Sequence, residues 1–227
     1  MCEKPSLGDV RESTWKKAAE VYIKAAVLLN GFFSTHLAES CVRCLELHRE
    51  WDPECDVARH EFVSGIFPGC CQTGVADDFR IPDGDRRMLP RGLCDYIGKM
   101  RAELVPAGVR EYVALDLRTG RKASGRGCAW LADGGCLLGG LKSPICLSYL
   151  CPPLRLGLTA PPGMPDPVEV EDFLGFFTVL NALGDVSAGD SASLLRAEAE
   201  VKLFETRIQA YHAAGAGRIA ASSPAEP

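Results

Sequence analysis

The chain has no excess of positive charge. Its formal net charge is −5 with a pI near 5.5, and its basic clusters, Arg86–Arg87 and the Arg118 to Arg126 segment, are small. A protein that neutralises many phosphates needs a basic stripe, so nucleic acid is not an expected partner. Long apolar runs are also missing. The longest, Ala18 to Phe33, is interrupted by Glu20 and Lys24, too short and too charged to span a bilayer. MCEKPSLGDVREST lacks the basic region and apolar run of a secretory leader. The expected location is therefore the cytoplasm, with no membrane partner. No internal repeat, phosphate loop, dinucleotide fingerprint or nucleophile–base pair stands out, so no reaction is assigned.

Cysteine, by contrast, is abundant. The chain carries eleven in 227 residues, an odd number, against four histidines. In the cytoplasm disulfides are rare, and clustered thiols more often bind metal or do redox chemistry. Four of them, Cys128, Cys136, Cys146 and Cys151, fall in the Gly- and Pro-rich stretch Gly127 to Pro153, and Cys70–Cys71 stand together in FPGCCQTG. Thiolates are soft ligands that suit zinc, copper(I) and iron–sulfur clusters, whereas magnesium and calcium prefer oxygen. A shell of thiolates carries excess negative charge. Backbone amides relieve it, and the glycines before Cys70, Cys128 and Cys136 provide turns that can aim them. Cys41 and Cys44, one helical turn apart, are further candidate ligands. His48 and His60 are weaker ones, more simply read as surface or packed residues. Cys94 is read as packing.

Hydrophobic periodicity predicts an α-rich chain with a small β-hairpin, its cysteine- and glycine-rich core flanked by N- and C-terminal helices. Ser13 or Thr14 is the expected cap of a helix from Trp15, with Asn30–Gly31 as its kink or end and a second helix over 35–49. Residues 75–91 read as irregular, and 93–104 as a short helix. Alternation in REYVALDLRTGRK predicts a hairpin turning at Thr119-Gly120, its second strand running to Leu131. Asp133-Gly134-Gly135 then forms a tight turn into Cys136. Six prolines between Pro152 and Pro167 mark an extended connector. Beyond it lie two helices. Val170, Phe173, Leu174, Phe177 and Leu180 face the core from the first, which ends near Gly184. Asp190 or Ser191 caps the second, with Leu194, Ala197, Val201, Phe204, Ile208 and Tyr211 on one side. The resulting division is 1–63 helical, 64–153 the cysteine core, 154–215 connector and helices, and 216–227 a disordered tail.

At the cysteines the chain resembles the CxxCxxCC family of YkgJ-type cysteine-cluster proteins, zinc- or iron-chelating domains. That family runs from a Cys-Cys pair to a segment of the form G-C-x-x-L…C-x-x-Y…R-P-x-x-C. Cys70–Cys71 match the pair, and Gly127, Cys128 and Leu131 match the start of the segment. Cys136 matches the next cysteine, with Gly139 where the Tyr is expected. Ser143-Pro144-Ile145-Cys146 is similar to R-P-x-x-C without the Arg and one residue shorter. Tyr149 and Cys151 follow. The family has two more cysteines before the pair, where this chain has Ser64 and Phe67; Cys41–Cys44 or Cys55 are the sulfurs that stand near enough in sequence to replace them. The resemblance covers about residues 64–153 and implies a metal site holding an iron–sulfur cluster or zinc. The expected function is thus metal binding of undefined biochemical role. The alternatives are a metal-dependent modifying enzyme or oxidoreductase, or a helical adaptor that binds a protein partner around a structural metal.

Overall fold

The computed structural model describes residues 7–36, 75–82, 87–108, 111–115, 122–126, 128–132, 135–148 and 174–221. Within them the chain is α-rich, with helices at both ends. Helix α1 spans Leu7–His36, α2 Arg91–Arg101, α3 Pro144–Ser148, α4 Phe176–Gly184 and α5 Ser191–Ala221. Strands β1 (Glu111–Leu115) and β2 (Lys122–Arg126) form an antiparallel hairpin in which Glu111 faces Arg126. Strands β3 (Leu131–Ala132) and β4 (Gly135–Cys136) form a second, two-residue ladder that sets Leu131 opposite Cys136. The expected second strand to Leu131 is thus two pieces, β2 and β3.

The main core is helical. From α1 it takes Ala18, Tyr22, Ala26, Leu29 and Phe33, a ladder of three- and four-residue steps that gives one buried face. All six side chains expected on the inner face of α5 are buried. Each large apolar one contributes about 1.5–3 kcal/mol when it leaves water. Asp190 caps α5 as expected, its Oδ1 accepting the Ala192 and Ser193 amides at 3.0 and 3.1 Å. The Ser193 hydroxyl first, and then the Ser193 and Ala192 amides, hold its carboxyl below the usual range. Gly175 stands before α4 at φ 85°; Val170 and Phe173, expected on the face of this helix, lie outside the described residues. Its fully buried aromatic ring is Phe176 rather than Phe177.

Three helix ends differ from expectation. Helix α1 begins at Leu7, so Thr14 lies inside it; the Thr14 hydroxyl instead accepts the Gly189 amide at 3.2 Å, docking the turn before α5. Asn30–Gly31 does not end α1, which runs through both residues to His36; positions 37–49 of the expected second helix lie outside the described residues. Glycine costs a helix about 1 kcal/mol, and the burial of Phe32 and Phe33 immediately after it exceeds that. At the other terminus α5 passes Gly215 and reaches Ala221. The alanines around Gly215 and Gly217 have the best helix propensity, which offsets the two glycines. Residues 75–82 and 87–90 are also more ordered than "irregular": the Ile81 amide donates to the Arg87 carbonyl at 2.6 Å and Leu89 to Phe79 at 3.0 Å.

Candidate metal centre

Cys128, Cys136 and Cys146 are the candidate ligands whose surroundings are described; Cys41, Cys44, Cys70, Cys71 and Cys151 lie outside the described residues, as do Cys55, His48 and His60. The buried Cys128 packs with Ala76 and Leu138, and Cys136, Trp130, Leu104 and Leu141 close over that group. The β3–β4 ladder explains the approach of the first two cysteines. The Cys128 carbonyl accepts the Leu131 amide at 3.1 Å, turning the chain into β3, and pairing then returns β4 with Cys136 opposite Leu131. The Leu137 amide closes the turn onto the Trp130 carbonyl at 2.9 Å.

Cys146 arrives on α3, and Ser143 sets its position. The fully buried Ser143 hydroxyl donates to the Val75 carbonyl at 2.8 Å and accepts the Cys146 amide at 3.2 Å. Val75 follows the Cys70–Cys71 segment by four positions in the chain. One serine therefore ties the backbone just after one cysteine group to the amide of a cysteine in the other.

Between β4 and α3 the chain is clamped against α1 and α2. Tyr22 Oη donates to the Lys142 carbonyl. Asn30 Nδ2 donates to the Gly139 carbonyl at 3.0 Å, and Lys142 Nζ donates back to Asn30 Oδ1 at 2.8 Å. Gly139 takes a positive φ of 51°, which suits glycine. Gly140 lies so close to α1 that a β-carbon there would stand 2.9 Å from Val27 Cγ2 and 3.0 Å from Ile23 Cγ2. Gly140→Ala is expected to push this segment off α1 at a cost of about 1–3 kcal/mol. An unchanged midpoint in urea unfolding would contradict the close approach.

Arg101 is the principal residue that reading the sequence for ligands overlooks. Its side chain is only 7% exposed, although arginine is seldom buried without partners. Nε donates to the Leu141 carbonyl at 2.8 Å, Nη2 donates to the same oxygen, and Nη1 donates to the Ala76 carbonyl at 2.8 Å. Nη1 also lies 3.3 Å from Asp77 Oδ1, and the guanidinium sits over the Phe79 ring at 4.8 Å. Burial lowers its pKa from the ordinary value, while Tyr22, Asp77, Cys146 and Cys136 in their ionised forms act the other way. A buried cation thus stands within electrostatic reach of two candidate thiolates. Its signal in the sequence is periodicity: Leu93, Ile97 and Arg101 recur at four-residue steps, and all three are buried.

Cys94 behaves as packing. It lies against the helical core, its thiol directed at the Leu89 carbonyl at 3.5 Å. Burial first, then the Asp95 carboxylate, push that thiol up to about 11, which keeps it protonated at neutral pH and a poor metal ligand.

Chemically, the described donors fit a soft metal. They are thiols, seated beside a buried guanidinium that would offset thiolate charge. Among the described residues no three His, Cys, Asp or Glu side chains form a complete metal-holding group, and none of their helices is long and apolar enough to cross a membrane. No protein-family model matches the chain, and no match is found among curated proteins or solved structures.

Proposed function

We propose that the chain is a cysteine-cluster metal-binding protein of the CxxCxxCC type, with residues 64–153 as its metal-binding core and the cytoplasm as its location. The candidate ligands are Cys70, Cys71, Cys128, Cys136, Cys146 and Cys151, with Cys41 and Cys44 as the sulfurs offered from the N-terminal side. What carries this reading is the packing of Cys128 and Cys136 in one small cluster over Ala76, next to the buried Arg101 cation. Ser143 supports it by joining the backbone that follows Cys70–Cys71 to the Cys146 amide.

The metal is an iron–sulfur cluster or zinc. The thiols outnumber the histidines among the candidates, which favours the cluster. When bound, a cluster would supply electron transfer and zinc a structural closure or Lewis acidity. The chain's own residues do the rest: Ser143 orders the Cys146 amide, Arg101 supplies counter-charge, and Tyr22 and Asn30 hold the intervening backbone to α1.

Anaerobic purification followed by metal and sulfide analysis tests this. A brown protein with stoichiometric iron and sulfide supports the cluster, and a colourless one with stoichiometric zinc supports zinc. A protein with no stoichiometric metal overturns the proposal. Cys94→Ser serves as the internal control and is expected to leave metal content unchanged.

A further inference from the structure

A second group of metal-ligating side chains lies where the end of α1 meets α5. His36 Nε2 and His212 Nδ1 stand 3.1 Å apart, with the two rings nearly parallel at 17°. The contact joins residues remote in sequence on the two longest described helices. Both residues are half-buried. We propose that His36 and His212 form a two-imidazole site for a zinc-class divalent cation that bridges α1 and α5, with water completing its coordination.

Two observations carry this. First, two nitrogens bonded to one tetrahedral zinc at about 2.0–2.1 Å stand about 3.4 Å apart, so the observed separation needs an adjustment of only a few tenths of an ångström. Second, the rings are held in place before any ion arrives. Phe32 packs against His36 at 4.6 Å and against His212 at 5.9 Å between ring centroids, and Tyr211 stands edge-on to His36 at 4.9 Å. Ligands fixed by their surroundings lose little freedom on binding. Imidazole nitrogen suits zinc, nickel and copper, whereas magnesium and calcium prefer oxygen. The partial exposure of both rings leaves room for water ligands. The pair shares no residue with the cysteine centre, so either site can exist without the other.

The test is a zinc titration of the full-length protein, with zinc taken beyond the thiol content and the ring nitrogens of its four histidines followed by long-range proton–nitrogen correlation spectra. His36 Nε2 and His212 Nδ1 are expected to move together as one ion per chain binds. His36→Gln and His212→Gln are each expected to weaken that ion at least about tenfold, the loss of roughly 1.4 kcal/mol of binding. In each variant the remaining partner should stop responding. Circular dichroism of the variants checks that α1 and α5 remain helical, and the wild-type spectra stand independently of how the variants fold. Signals of His36 and His212 that stay put at saturating zinc would show a plain imidazole–imidazole hydrogen bond and overturn the proposal. Retention of the same ion by both variants would overturn it equally.

Discussion

Cys136→Ser and Cys146→Ser are each expected to strip the protein of the proposed metal, from stoichiometric content to a small residue. Serine keeps the size of cysteine and loses the thiolate, so the readout isolates ligation from packing. Because a metal that binds only the folded site contributes its binding energy to folding, each variant should also melt earlier, by roughly 10 °C or more. The loss should be local. The helical core built from Tyr22, Leu29, Phe32, Phe176, Phe204 and Tyr211 contains none of the described candidate ligands, so far-UV circular dichroism should retain most of its helix signal while metal analysis fails. Cys94→Ser is the silent partner of this experiment. Normal metal content in both Cys136→Ser and Cys146→Ser would refute the ligand assignment.

Arg101→Met is expected to be strongly destabilising. The guanidinium donates to carbonyls of two separate segments, Leu141 and Ala76. Methionine fills similar volume yet leaves both oxygens without a donor in a buried place, at about 1–3 kcal/mol for each. A total of about 3 kcal/mol would lower the melting temperature by roughly 6–12 °C in a chain of this length. Arg101→Lys restores the charge without the planar fork that reaches two carbonyls at once, so it should recover only part of the stability. Metal analysis adds a readout that packing alone would not move. If the cation offsets thiolate charge, Arg101→Met should lose metal under mild chelation where the lysine variant retains it. Wild-type stability in Arg101→Met would sink the account of a satisfied buried cation.

The helical part of the fold is legible in the sequence to different depths. The α5 face is fully readable, because Leu194 to Tyr211 keeps an unbroken three-to-four step and Asp190 announces the start. Helix ends are less so. Thr14 has the chemistry of a cap and serves instead as an acceptor for Gly189; nothing local distinguishes the two uses. Asn30 looks like a helix breaker, yet it holds both the Gly139 carbonyl and the Lys142 ammonium. The hairpin is predictable from alternation, while the break between β2 and β3 depends on where pairing partners run out. His36 and His212 carry no mutual signal at all along the chain.

The residue types by themselves determined the chemistry on offer: many thiols, few imidazoles, no basic excess and apolar faces at helical spacing. Those are properties of composition and local periodicity, which need no partner to be defined. Tertiary structure decided which of these groups meet. It packed Cys128 with Cys136 through a two-residue ladder, buried Arg101 between Ala76 and Leu141, and tied Cys146 to Val75 through Ser143. The last two of those contacts join segments remote in sequence that burial brings together, and burial is a sum over the whole chain that no short stretch contains.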